Sequence, residues 1–198
     1  MHISIITLEG FNEIDSLVMF NILNRVKGSD WKVSIASATP KVSSMNGLVI
    51  ESDISLEDVY STDAVIIGSG SKTRELVLDQ KLMSRIELDP SHQLIGSQCS
   101  GIMVLGRLNL LSGIPVCTDK NTKTWALDEG IKVVDKPFNA IGNVATAGGC
   151  LASHYLAAWV IARLKGLDAA YKAISYISPT GEEDDYVNRA IKHIYPYI

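Results

Sequence analysis

The sequence predicts a doubly wound α/β domain, a mostly parallel sheet with helices on both faces. Short apolar runs rich in β-branched residues alternate with segments whose apolar residues recur at spacings of three and four. The runs are apolar along their length rather than every second residue, as strands buried on both faces of a parallel sheet are.

The elements follow in order. HISIITL (2–8) is a strand and IDSLVMFNILNRV (14–26) a helix, followed by the strands WKVSIASA (31–38) and AVIIGSG (64–70). TRELVLDQKLMSRI (73–86) has helical spacing, LIGSQC (94–99) is a strand, and IMVLGRLNLL (102–111) is again helical. IKVVD (131–135) and NVATAGG (143–149) are β-rich, and SHYLAAWVIARLKG (153–166) is a helix. SPTGEEDD (178–185) reads as a solvated turn before a last helix.

With 198 residues, 46% of them hydrophobic, the chain suits a single domain over 1–198 with a sizeable core. Its 22 acidic and 18 basic residues give a net charge of −4, and no Lys/Arg-rich block occurs, which argues against a nucleic-acid or membrane-surface protein. The start, MHISIITLEGF, has no basic leader, and the longest apolar candidate for a span, YLAAWVIARL, is broken by Arg163. Three cysteines without CxxC spacing suit a reduced cytoplasm, and no Cys/His cluster has zinc spacing. Neither a P-loop nor a dinucleotide-binding glycine pattern occurs. A cytoplasmic protein with a small-molecule substrate, no cofactor and no metal is the expectation.

In doubly wound sheets ligands sit beyond the carboxyl ends of the strands. Four turns qualify: LEGFNEID (8–15), GSGS (68–71), SQCSG (97–101) and TAGGCLASH (146–154). Within the third, QCSG has the form of a nucleophile elbow, a sharp strand-to-helix turn with small neighbours. Helix N–H groups pointing at the Cys99 sulfur would favour thiolate. A buried small hydrophobe closing the strand gives the same local pattern.

The chain resembles the ThiJ/PfpI superfamily, flavodoxin-like domains related to class I glutamine amidotransferases, up to about residue 170. EGFNEID, AVIIGSG, QCSGIMVLGRLNLLSG and ATAGG followed by LAAWVIARLKG carry the resemblance. It implies that Cys99 is the reactive cysteine and that Asp15, leaving the first strand, hydrogen-bonds its sulfur. Apart from the resemblance, Asp15 reads as a helix cap or first-turn acid. The family has a glycine pair whose N–H groups bind an oxyanion where this chain has Gly70 and Ser71, the second a departure and a plain surface turn the alternative. It also implies a homodimer.

Ser100 follows the cysteine where some branches have histidine, and Asp119 stands where several relatives carry another. A Cys–His triad, and with it protease or amidotransferase activity, is therefore not expected. Asp15 with a cysteine followed by a hydroxyl residue is similar to the isonitrile hydratase branch. That likeness implies hydration of R–N≡C to a formamide, with Cys99 as nucleophile, Asp15 as general acid and base, and Ser100 orienting water or substrate. Ser100 also reads as an ordinary N-terminal helix serine. Tyr155, where that branch has aspartate, and Asp119 and Lys120, where it has His-Trp, depart from it.

Cys150 is a second sulfur at a glycine turn, and with His154 it would share a helix face if the helix began at Cys150. Cys117 reads as packing, His2, His92 and His193 as structural or solvated, and Trp125 as lining a pocket or a dimer contact. Two alternative functions stand beside the hydratase. One is glyoxalase or deglycase activity on α-oxoaldehydes. The other is a non-catalytic redox or ligand sensor in which Cys99 is oxidised; direct DNA binding is disfavoured because the chain ends at Ile198.

Overall fold

Because side chains alternate across a strand, an apolar run buried in a sheet feeds two cores at once. The computed structural model describes residues 1–198. The chain begins β1 (His2–Ile6), α1 (Glu13–Leu23), β2 (Lys32–Ser37), β3 (Lys41–Ser43), β4 (Val49–Glu51), β5 (Ile54–Ser55) and β6 (Ala64–Ile67). Then come α2 (Thr73–Leu76), α3 (Gln80–Met83), β7 (Leu94–Gln98), α4 (Ile102–Arg107) and α5 (Lys120–Asp128). The rest is β8 (Phe138–Ile141), β9 (Val144–Ala147), α6 (Ser153–Lys165), α7 (Leu167–Ile177) and α8 (Glu183–Ile194).

Seven strands form one sheet in the order β5-β2-β1-β6-β7-β9-β8, parallel except where β8 runs against β9. β3 and β4 form a separate antiparallel hairpin. The strands β2-β1-β6-β7-β9 have the flavodoxin-like order. Ile3, Ile5 and Ile66 enter the core under α1, α6, α7 and α8, while Ile6, Val65 and Ile67 enter the one under α3, α4 and α5. Helix α6 lies between the sheet and the C-terminal helices, so Leu156 to Ala162 are all buried. That position explains its nearly continuous apolar sequence. No helix is long and apolar enough to cross a membrane.

The connections from β1 and β6 leave toward opposite faces, which opens a crevice at the carboxyl ends of these neighbouring strands. Three expectations need correction. The β-rich IKVVD segment adds no strand to the sheet: Val133 only bridges Val116, and its neighbours exchange backbone hydrogen bonds with that residue. The edge place beside β9 belongs to β8 instead. The 73–86 segment is two short helices, because the Asp79 side chain accepts from the Leu82 N–H and starts a new one. The helix after Cys99 stops at Arg107, shortly before Asn109 turns into the left-handed region with φ 59°.

Candidate active site

The turns leaving β1, β6, β7 and β9 converge on a cavity of about 530 Å³. They contribute Asn12, Ser69, Gly70, Ser71, Cys99, Ser100 and Cys150, while Trp125 of α5 closes one wall. Hydroxyl and amide groups dominate the wall, and no histidine lines it.

Cys99 has φ 46°, a left-handed conformation that costs on the order of 1–3 kcal/mol for a residue with a side chain. The surroundings hold it there. A Cβ at Gly101 would lie 2.7 Å from the Ile67 carbonyl oxygen and 2.9 Å from that of Gly68, so only glycine lets the elbow rest on the end of β6. The Thr118 hydroxyl donates to the Cys99 carbonyl at 2.9 Å. The Gln98 amide donates to the Cys99 sulfur at 3.4 Å and to the Gly149 carbonyl at 2.8 Å, tying the elbow to the turn after β9.

Asp15 lies in the first turn of α1 and is fully buried. The cap of that helix is Asn12, whose side chain accepts from the Ile14 N–H at 3.1 Å, so Asp15 is free of that duty. The Ser69 hydroxyl donates to its Oδ2, whereas Oδ1 is buried without a hydrogen-bond partner. One carboxylate oxygen and the sulfurs of Cys99 and Cys150 all lie within 4.8 Å of one another. Burial raises the Asp15 pKa above the carboxylate range, against the opposing effect of the Ser69 hydroxyl and the two thiols.

Burial also pushes the Cys99 thiol up, and the Asp15 charge adds to the shift. The expected lowering by a helix N-terminus is therefore overturned: a three-residue turn, Cys99–Gly101, separates the sulfur from a six-residue helix, and a carboxylate faces it. The Cys150 thiol is raised for the same two reasons. Because the Asp15 charge opposes a Cys99 thiolate, protonation of Asp15 favours it.

Ser100 is held by both neighbours. The Thr73 hydroxyl donates to the Gly70 carbonyl at 2.9 Å, which leaves Ser100 to donate to Thr73 at 3.0 Å and to accept from the Gly70 N–H at 3.4 Å. One lone pair of its oxygen remains open. Ser71 is not a second oxyanion donor, because its N–H donates to the Gly10 carbonyl at 2.9 Å.

Cys150 belongs to this site, though not with His154. It sits in the turn Cys150–Ala152 rather than on a continuous helix, and its sulfur accepts from the Asn12 amide at 3.3 Å. The His154 Nδ1 pairs with the Leu151 carbonyl, and its ring lies 3.9 Å from that of Tyr155. Tyr155 is itself packed between His154 and His193, outside the cavity lining. Asp119 caps α5, accepting from the N–H groups of Asn121 and Thr122 and from the Thr122 hydroxyl at 2.6 Å, while Lys120 begins that helix. Cys117 is buried and its N–H donates to Thr146.

Sequence reasoning did not single out Gln98, Asn12, Thr73 or Arg74. The first two lie inside the recognised turns, where an amide beside the elbow was the available signal. Arg74 stands over the Trp125 ring at 4.9 Å from its centroid. Two sulfurs and a carboxylate oxygen are also donors that a zinc-class ion takes. Local spacing hides this grouping because its members come from three turns.

Comparison with known proteins agrees with this architecture. A ThiJ/PfpI family protein from Pseudomonas syringae is 15% identical with a TM-score of 0.78, over 98% of this chain and 87% of that one. Schizosaccharomyces pombe DJ-1 is 14% identical with a TM-score of 0.74, over 90% of this chain and 100% of that one. An AraC family transcriptional regulator from Pseudomonas putida is 17% identical with a TM-score of 0.74, over 89% and 99%. No curated protein matches the chain. These likenesses show a shared fold, and the sequence itself goes further: matched by the family model over residues 1–163, the chain belongs to the DJ-1/PfpI family.

Proposed function

We propose that the chain is a cofactor-independent cysteine enzyme that adds water to a small electrophilic carbon, with isonitriles as the leading substrate class. One observation carries this reading: a buried carboxyl with a raised pKa and an unpartnered oxygen lies behind the Cys99 sulfur, and the cavity that Cys99 lines holds no histidine. Proton transfer then falls to Asp15. The Cys99 sulfur bonds to the terminal carbon of R–N≡C while its proton passes through Asp15 to that carbon, giving a thioimidate. Water, oriented by the open lone pair of Ser100, adds to the C=N bond; Asp15 takes one proton from it and passes that proton to the nitrogen, and the hydroxyl proton left on the carbon is the one that goes to sulfur in the last step. Breaking the C–S bond releases the formamide and returns the proton to sulfur. The Gln98 amide supports negative charge on the sulfur during both steps.

The hydroxyl and amide wall favours a second reading, an α-oxoaldehyde whose carbonyl carbon Cys99 attacks. Product formation separates the two: formamide from an aryl isonitrile, or a 2-hydroxy acid from an α-oxoaldehyde. Cys99→Ala is expected to lose about 10³-fold or more in turnover, and Asp15→Asn about 10²- to 10⁴-fold. Rapid alkylation of Cys99 with neither product formed would overturn both enzymatic readings.

A further inference from the structure

Cys150 has no part in the hydration steps, yet its sulfur shares the cavity and lies within 4.8 Å of the Cys99 sulfur. We propose that Cys150 is a resolving cysteine: a peroxide converts Cys99 and Cys150 into an internal disulfide that closes the site reversibly. The inference shares with the proposed function the accessibility of Cys99 from the cavity and the proton transfer by Asp15.

The two sulfurs are unequally held. Cys99 is fixed by the backbone of β6 beneath Gly101 and by Thr118. Cys150 is on a short surface turn, preceded by Gly149 at φ 86° with open space where a Cβ would be, and followed by Leu151 at 76% exposure. A disulfide needs the sulfurs at about 2.0 Å. Rotation of the Cys150 side chain brings its sulfur toward Cys99, while the Gln98 amide and the Ser153 hydroxyl keep the carbonyls of Gly149 and Cys150 in place. Its sulfur contacts, Asn12 and the Asp15 group, are polar.

The chemistry balances in two steps. The Cys99 sulfur attacks one peroxide oxygen, the O–O bond breaks, and the departing hydroxide takes the thiol proton through Asp15, leaving sulfenic acid and water. The Cys150 sulfur then attacks the sulfenic sulfur. An S–S bond forms, the S–O bond breaks, and the leaving hydroxide takes the Cys150 proton as a second water. Peroxide is reduced and the two thiols are oxidised by two electrons in total. A dithiol reverses the change by exchange, whereas a Cys99 without a resolving partner proceeds to sulfinic acid.

The test treats the full chain with equimolar hydrogen peroxide in chelator-containing buffer, followed by intact mass and peptide mapping. Wild type is expected to lose two hydrogens in mass, to yield linked Cys99 and Cys150 peptides, and to fall from three free thiols to one, Cys117. Dithiothreitol restores all three. Cys150→Ser and Cys150→Ala are expected instead to gain one and then two oxygens on Cys99. Oxygen gain on wild-type Cys99 as fast as in those variants, with no linked peptide, would overturn the proposal, as would a Cys99 that neither oxidises nor alkylates. Turnover without a linked peptide removes the disulfide alone; a linked peptide without turnover removes the hydratase alone.

Discussion

Asp15 is buried at a cost in stability. A carboxyl with no exposure, one partnered oxygen and one unpartnered oxygen is harder to ionise than in the unfolded chain, where its value is about 3.9. Its folded pKa is raised, so its contribution to stability is fully present below the unfolded value and is lost as pH rises through the folded one. Asparagine has no such charge and can still accept from Ser69. Asp15→Asn is therefore expected to melt progressively higher relative to wild type as pH rises above the unfolded value of about 3.9, because the wild-type carboxyl is then forced to ionise in a buried place. A melting difference that stays constant as pH rises would show that ionisation of Asp15 carries no such cost. The turns holding Asp15, Cys99 and Ser100 were legible as strand ends, but only the family resemblance paired Asp15 with the cysteine, since by itself an acid in EIDSLVMF reads as a helix cap. The partnership of Cys150 with Asp15 was not legible, since it depends on β1 and β9 ending at the same edge of the sheet.

The elbow acts as an element rather than as a cysteine alone. β7 delivers Cys99, Gly101 lets the turn rest on β6, and Thr118 anchors its carbonyl from the loop before α5. Gly101→Ala would press a methyl group against two backbone oxygens that no side-chain rotation can relieve. It is expected to cost about 1–3 kcal/mol in denaturant unfolding and to change the alkylation rate of Cys99 as the elbow shifts. An unchanged midpoint would mean that the turn relaxes freely. The same scale separates the elements that sequence reveals from those it hides. β1, β6 and β9 are mostly apolar, and β7 (LIGSQ) small or apolar until its last residue or two, because both faces are covered. The edge strand β8 ends at half-exposed Ile141, and α5, written KNTKTWALD, buries only Thr122 and Ala126, so neither has a clear apolar period. IKVVD is apolar enough for a strand, but its backbone partners lie at Val116, outside the sheet.

Across the whole molecule, the site depends on helices that contribute nothing to the lining of its cavity. Strand order, which local pattern cannot give, places β1 beside β6 and so brings the four turns together. Asp15 reaches the Cys99 and Cys150 sulfurs from α1, and α1 packs against α6 and α7. Residues beyond the family match complete that core: Ala170, Ala173 and Ile174 from α7, Val187, Ala190 and Ile194 from α8. The carbonyl of Tyr197 accepts from the Trp159 indole at 3.0 Å, and its ring meets Phe138 edge-on at 5.7 Å. Burying Ile174 and Ile194 alone is worth about 1.5–3 kcal/mol each, against a total stability of about 5–15 kcal/mol for a typical domain. Deleting residues 167–198 is therefore expected to remove cooperative unfolding, expose Trp159 to water with a red-shifted emission, and abolish turnover although every cavity-lining residue remains. Ile174→Ala provides the milder form, with an expected loss of about 2–5 kcal/mol. If the shortened chain still melts cooperatively and keeps the wild-type Trp159 emission, α1 is positioned by α6 and the sheet without help. The C-terminal helices would then be separable from the chemistry they cover.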